Sequence, residues 1–351
     1  MRTSGSTGAP REVALGAAAL RASATATGER LGAPGRWVLA LPPTHVAGVQ
    51  VIVRSILAGT RLAAAAPTSP FTPQGLADLL ADALRGDDPV HLSLVPTQLH
   101  RAVRAADDGA PAALEALRRC GAVLLGGAAT PPGLLTRALD AGVPVVRTYG
   151  MSETAGGCVY DGVALAGVRL RVAAAPGRPG RVEIAGPTLA TGYVGDDGSG
   201  DGSPFVDDVD GRWFRTNDLG VLEDGRLRVL GRADDVVVTG GVNVAPAAVE
   251  AVVGELLGAE VCVVGVPDDE WGQAVVAVVA DPHGNPTGAP TGVPEAQASD
   301  DELERVRAEV AARLGPPAAP RRIVRVPALP VRGPGKVDRR AVVDLARGVR
   351  R

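Results

Sequence analysis

The sequence predicts a large α/β N-terminal domain with a β-rich portion, followed by a smaller α+β C-terminal unit. Ala- and Val-rich runs of helical length alternate with short apolar runs through the first 150 residues. From residue 168 the texture changes to strict apolar/charged alternation. Near Gly231 a new strand–helix–strand series begins. Alternating helix and strand is the pattern of a parallel sheet, whereas strict alternation is that of half-buried antiparallel strands.

Residues 12–31 and 46–58 read as helices, with strands at 36–41, 90–95, 121–125 and 143–148. Val168-Arg169-Leu170-Arg171-Val172, 181–184 and 226–230 turn every second side chain toward a core. Glycine- and aspartate-rich turns separate them, notably at 195–203. The first domain is expected over 1–230 and the second over 231–351, roughly 120 residues, within the usual domain range. The second opens on Val236-Val237-Val238 and a helix from Pro246, where proline suits the first helical turn. Strands follow at 261–266 and 275–280. The Pro/Gly/Thr-rich stretch 281–299 predicts a mobile surface loop. A helix from Asp300 then puts Leu303, Val306, Val310 and Leu314 on one face.

Composition narrows the function. Hydrophobic content of 46% with 21% charged residues is globular, and 3% aromatics imply a core of small aliphatic side chains. No stretch reaches the ~18 uncharged apolar residues that a membrane span needs. The N-terminus also lacks the apolar core of a secretion signal. Cys120, Cys158 and Cys262 stand far apart, which predicts reduced thiols in a cytoplasmic protein. A net charge of -3 gives no reason to expect a nucleic-acid partner. Residues 321–351 carry ten Lys/Arg against Asp338 and Asp344, a tail that either attracts phosphates or is simply solvated. Of 36 basic residues only Lys336 is lysine. Lysine offers a compact point charge on a slim stem, which arginine's planar fork cannot replace in a narrow channel.

Several segments carry chemistry. Thr3-Ser4-Gly5-Ser6-Thr7-Gly8-Ala9-Pro10-Arg11 is a flexible run that can wrap N–H and O–H donors around phosphate, or else a loose N-terminal tail. It lacks the GxxxxGK[ST] spacing. Thr148-Tyr149-Gly150-Met151-Ser152-Glu153-Thr154 follows a strand, where α/β sheets place ligand loops. Glu153 there suits a helix cap or Mg²⁺ beside a phosphate. Asp218, in Trp213-Phe214-Arg215-Thr216-Asn217-Asp218, could accept bonds from a ribose. Gly231-Arg232-Ala233-Asp234-Asp235, then Gly240-Gly241, lead into the second unit.

Taken in this order, from Thr3 to Arg339, the segments resemble the adenylate-forming superfamily of acyl-CoA synthetases, luciferases and peptide-synthetase adenylation domains. Pro42-Pro43-Thr44-His45-Val46-Ala47-Gly48 with Arg54-Ser55, Ser93-Leu94-Val95-Pro96-Thr97-Gln98, and the run from Arg147 to Gly162 look like the short actinobacterial form of 2-succinylbenzoate–CoA ligase, of menaquinone biosynthesis.

The resemblance implies a mobile C-terminal lid and small-molecule substrates: ATP, CoA and an aromatic or keto carboxylic acid, with Mg²⁺ as cofactor. It implies that Thr3, Ser4, Gly5, Ser6, Thr7 and Gly8 close over the β- and γ-phosphates, with Ser152 on the α-phosphate and Glu153 holding Mg²⁺. Gly127, Ala128, Tyr149 and Gly150 would frame adenine, with Asp218 and Arg232 on the ribose. His45, Arg54, Ser93 and Gly126 would take the acid, with Arg54 clamping a distal carboxylate. His45 also reads as a histidine satisfying backbone groups, and Arg54 as an ordinary helix-surface charge. Asp234 would be the hinge, Gly240-Gly241 the CoA channel and Lys336 the adenylation lysine. Arg11 stands where the family usually has lysine, and the family has a strand and further structure ahead of its phosphate loop. The start codon therefore lies upstream, or the loop is weakly tethered. A carrier-protein-loading adenylation enzyme, another acyl-CoA synthetase and a non-catalytic nucleotide-binding remnant remain as alternatives, and a homodimer stays open.

Overall fold

The computed structural model describes residues 1, 11–32, 34–64, 70–175, 177–195, 203–280, 296–332 and 336–348. Contacts divide the chain into two compact units. The first comprises Met1–Thr130, Leu134–Thr216 and Gly220–Arg228; the second Pro131–Gly133, Asn217–Leu219 and Val229–Arg351.

The first unit begins with β1 (Val13–Ala14), α1 (Ala17–Leu31), β2 (Arg36–Leu39), α2 (Val46–Ala58), β3 (Ala63–Ala64) and α3 (Pro73–Ala83). It continues through β4 (Val90–Leu94), α4 (Pro96–Asp107), α5 (Ala112–Arg118), β5 (Ala122–Leu125), α6 (Pro132–Asp140) and β6 (Val145–Met151). Parallel pairing orders the strands β3-β2-β4-β5-β6. All five residues of β4 are buried, as expected for a strand covered on both faces. One face packs Leu92 and Leu94 against Leu76, Leu80, Leu99 and Leu117 of α3, α4 and α5. The other packs Trp37 and Leu124 with Ala26 of α1 and Val51 of α2.

A β-rich portion follows: β7 (Gly156–Tyr160), β8 (Val163–Ala164), β9 (Arg169–Ala173), β10 (Gly180–Ala185), β11 (Gly192–Tyr193), β12 (Phe205–Asp208), β13 (Gly211–Glu223) and β14 (Arg226–Arg232). All but β11, which pairs with β1, extend the sheet as β6-β7-β8-β14-β13-β10-β9, with β12 beside β13. Glu183 on β10 faces Arg171 on β9, and its buried carboxylate accepts from Arg171 and, at 3.0 Å, from Arg215.

The second unit contains the hairpin β15 (Val237–Thr239) and β16 (Val242–Val244), then α7 (Pro246–Leu257), β17 (Val261–Asp268), β18 (Gly272–Ala280), β19 (Ala296–Gln297) and α8 (Asp300–Leu314). It ends with β20 (Arg322–Val326), β21 (Val331–Arg332), β22 (Lys336–Val337) and α9 (Arg339–Gly348). The four-stranded sheet β17-β18-β20-β19 is mixed, with only β18 and β20 parallel. Val249, Val253, Val306 and Val310 of α7 and α8 cover one face, and Val342 and Ala346 of α9 cover the other. The Ser299 hydroxyl accepts from Glu302 N to cap α8, and Asp300, Asp301 and Glu302 complement its N-terminal dipole.

Three expectations need correcting. The helix expected from residue 12 starts at Ala17, because Val13 and Ala14 are drawn into pairing with Tyr193 and Gly192. No helix was assigned from sequence between the strands at 90–95 and 143–148, yet α4, α5 and α6 lie there. Leu314 is 39% exposed, because α8 ends there, before Gly315, while Val306 and Val310 are fully buried. Most of the expected loop 281–299 lies outside the described residues. Among the described residues no helix is long and apolar enough to cross a membrane.

Candidate active site

β6 changes partner along its length. Val145, Val146 and Arg147 pair in parallel with β5, whereas Thr148 to Met151 pair antiparallel with β7, with a bulge between Tyr149 and Gly150. The motif 148–154 thus leaves the parallel half of the sheet at its carboxyl end, where open α/β sheets bind ligands. Glycine is required there. A Cβ on Gly150 would lie 2.1 Å from the Gly156 carbonyl oxygen, and one on Gly126 would lie 2.3 Å from Thr148 Oγ1. Buried Ala155 adopts a left-handed φ of 51°, strained for a residue with a Cβ. Gln50 Nε2 of α2 donates to its carbonyl at 2.7 Å and so ties α2 to the motif.

Glu153 sits in the short 3-10 turn Ser152–Thr154 and is 8% exposed. Its Oε1 accepts the Tyr193 hydroxyl at 2.8 Å, and the Arg11 guanidinium lies 5.0 Å over the Tyr193 ring. Burial first, then the Glu153 carboxylate, raise the Tyr193 pKa, so the hydroxyl keeps its proton as a donor. Among the described residues no group of three or more His, Cys, Asp or Glu could hold a metal. A lone carboxylate nonetheless suits Mg²⁺, which keeps most of its waters and takes phosphate oxygens.

Arg54 is not a surface charge. It projects from the buried face of α2, is 6% exposed, and stacks 4.9 Å over Trp37. Its Nη2 donates to the Tyr160 hydroxyl at 3.2 Å, and its buried Nε has no hydrogen-bond partner. Burial lowers its pKa, against the opposing effect of Tyr160, and no carboxylate offsets its charge among the described residues. Arg54 and Trp37 line a cavity of about 400 Å³ with Ala24, Leu31, Leu57 and the exposed Glu29. Ser93 of β4 pairs beside Leu124 and alternates with Leu92 and Leu94, so it shares the sheet face that α2 covers. His45 is the half-buried N-cap of α2, with its backbone N–H on the Pro42 carbonyl at 3.2 Å. Gly127 (φ 85°) and Ala128 follow β5 and are exposed. Thr3 to Gly8 lie outside the described residues.

The second unit holds the remaining expected residues. Asp218 Oδ1 stands 3.8 Å from Arg232 Nη1, and Arg232 grips Asp234 through two 2.8 Å bonds. Burial pulls the Arg232 pKa down, but Asp234, Asp218 and Asp235 outweigh it and raise it. Gly240 (φ 55°) and Gly241 (φ 76°) form the two-residue turn of the β15–β16 hairpin, whose mirror-image geometry demands positive φ twice. A Cβ on Gly240 would also come within 2.8 Å of Trp271 Cε3. Lys336 starts β22 opposite Arg332 and is half-buried. Arg339, three residues on, binds Glu250 at 2.6 Å, Asp235 at 3.2 Å and the Val263 carbonyl at 2.8 Å, which anchors the start of α9.

Sequence reasoning missed Trp37, Gln50, Tyr160, Tyr193 and Arg339. One signal was available: aromatics are scarce, and all three tyrosines, Tyr149, Tyr160 and Tyr193, stand in or directly against these segments.

Comparison with known proteins matches both ends of the chain to one family of enzymes. The model of the AMP-binding enzyme family matches residues 1–194, and that of the AMP-binding enzyme C-terminal domain matches 248–336, ending on Lys336. The chain is 46% identical over 348 residues to the probable 2-succinylbenzoate–CoA ligase of Mycobacterium tuberculosis (strain CDC 1551 / Oshkosh), covering 97% of this chain and 82% of that one. It superposes on the o-succinylbenzoate CoA synthetase of Bacillus subtilis in complex with the acyl-adenylate intermediate OSB-AMP, at 27% identity and a TM-score of 0.74, covering 96% of this chain and 67% of that one. The same synthetase in complex with ATP and magnesium ion matches at 25% identity and a TM-score of 0.74, covering 96% and 68%. This chain belongs to the AMP-binding enzyme family.

Proposed function

We propose that this chain is an ATP-dependent acid–CoA ligase whose acid is 2-succinylbenzoate, in menaquinone biosynthesis. The observation that carries the substrate assignment is Arg54, a buried guanidinium with an unpartnered Nε and, among the described residues, no carboxylate offsetting its charge. Leaving such a charge without an anion is costly, so a carboxylate arriving there gains much of its binding from relieving it. A substrate with two carboxylates supplies one for Arg54 and one for reaction.

In the first step the reacting carboxylate oxygen bonds to the α-phosphorus of ATP, the α–β phosphoanhydride bond breaks, and pyrophosphate leaves. In the second the CoA thiol, losing its proton, bonds to the acyl carbon, and AMP leaves. Lys336 supplies a point charge between the carboxylate and the α-phosphate, a preorganised electrostatic role. Ser152 binds the α-phosphate, and Thr3, Ser4, Gly5, Ser6, Thr7 and Gly8 wrap the outer phosphates. Glu153 would hold Mg²⁺, which supplies charge neutralisation on the phosphates when bound. Gly127, Ala128, Tyr149 and Gly150 frame adenine, and Asp218 and Arg232 take the ribose. His45, Ser93 and Gly126 border the acid. The portion 1–230 binds ATP and acid, and 231–351 is a lid that turns about Asp234 between the two steps and brings Gly240 and Gly241 to the CoA arm.

The test is pyrophosphate release that requires 2-succinylbenzoate, with thioester forming only after CoA is added. Turnover of several aliphatic acids but not of this one would remove the substrate assignment. Adenylate formation without turnover of free CoA would point instead to a carrier protein as acceptor.

A further inference from the structure

Tyr160 is 0% exposed and is the largest fully buried side chain among the described residues. Its hydroxyl lies 3.0 Å from Thr27 Oγ1 and 3.2 Å from Arg54 Nη2. Thr27 has one proton, and it goes to the Ser23 carbonyl at 2.8 Å. Between Thr27 and Tyr160 the tyrosine must therefore be the donor, which leaves its oxygen lone pairs to accept from Arg54. The result is one directed chain: Arg54 to Tyr160 to Thr27 to the Ser23 carbonyl. Both hydroxyl protons in it are committed, and each bond polarises the next. Trp37 fixes the guanidinium from its face, and Tyr160 fixes it from one edge. The unpartnered Nε is a further donor in the same plane.

We propose that Tyr160 is the positioning residue that sets the guanidinium plane of Arg54, and so the enzyme's preference for an acid with a second, distal carboxylate. This rests on the reading of Arg54 as the distal-carboxylate clamp. Burial alone cannot do this work. A guanidinium gains from a carboxylate chiefly when the two are coplanar, and a long arginine side chain without the tyrosine has several ways to lie over Trp37. The tyrosine hydroxyl also supplies an acceptor without the negative charge by which a carboxylate would neutralise the clamp.

The experiment uses the full 351-residue chain. Wild type, Tyr160→Phe, Thr27→Val and Arg54→Met are each assayed for pyrophosphate release with 2-succinylbenzoate and with its analogue carrying methyl in place of the distal carboxylate. Melting temperatures are read alongside. Tyr160→Phe is expected to raise KM for the dicarboxylate about ten-fold, the scale of one hydrogen bond to a charged group, with KM for ATP unchanged. The ratio of kcat/KM between the two acids should fall by the same factor. Thr27→Val should move the same quantities in the same direction by less, and it keeps the test open if Tyr160→Phe does not fold. Arg54→Met should abolish the discrimination. If Arg54→Met abolishes it while Tyr160→Phe and Thr27→Val leave KM for the dicarboxylate at the wild-type value, the proposal is overturned and the clamp stands. If Arg54→Met leaves the discrimination intact, clamp and proposal both fall. Equal rises in KM for ATP and for acid, with a lowered melting temperature, would make Tyr160 merely structural.

Discussion

The Tyr193 hydroxyl donates to Glu153 Oε1 at 2.8 Å, across 40 residues of chain. The bond fixes one carboxylate oxygen, so the proposed Mg²⁺ site on Glu153 would use Oε2. Tyr193→Phe should therefore raise the Mg²⁺ concentration needed for half-maximal pyrophosphate release several-fold, the effect of losing one hydrogen bond to a charged group. A magnesium titration of the variant against wild type checks this. An unchanged titration would separate Glu153 from the metal.

His100 titrates against the fold. Burial, then Arg104, Arg137 and Arg101, press its pKa down from 6.5 to about 4, against a smaller opposing pull from Asp107. Between those values the unfolded chain binds the proton and the folded chain does not, so stability rises with pH across that window. It is fully present above about pH 6.5 and lost as pH falls toward 4, a change of about 2–3 kcal/mol. Urea melts at pH 7 and pH 4.5 should show the loss, and His100→Gln should reduce it. An identical pH dependence in the variant would show that other groups carry it.

Burial raises the pKa of Cys120, Cys158 and Cys262 to about 12 each. All three are free, as the sequence led us to expect. The thiolate is the reactive form, so a disulfide reagent at pH 8 should label none of them quickly in the native protein and all of them once it is unfolded. Fast labelling of a native thiol would mean local opening around it.

Gly240→Ala tests the hairpin turn. The change forces a side chain into positive φ and against the Trp271 ring, so the second unit should lose about 1–2 kcal/mol. Guanidinium melts measure it. A neutral result would mean that the turn can be rebuilt, and that the glycines owe nothing to this geometry.

How legible all this is in the sequence depends on range. The strands at 36–39, 90–94, 122–125 and 261–268 are dense in β-branched and aliphatic residues, and local pattern places them within a residue or two. α5, with seven residues and only Ala113 and Leu117 fully buried, lacks the apolar stripe that would announce it. The pairing of Val13 with Tyr193 is invisible to any local window. The same holds at the site. Lys336 stands out because it is the only lysine, and the glycines stand out by motif. Arg54 is visible as a residue, but its meaning lies in Tyr160, 106 residues away, and in its burial against Trp37, neither of which spacing can reveal.

The role of Lys336 in one half-reaction is the centre of the account, and splitting the two steps tests it most directly. Wild type and Lys336→Ala are assayed for pyrophosphate release from ATP and 2-succinylbenzoate, and separately for thioester from supplied acyl-adenylate and CoA. Lys336→Ala is expected to lose the first reaction and largely keep the second. Equal loss in both, or a variant that still releases pyrophosphate at the wild-type rate, would contradict it.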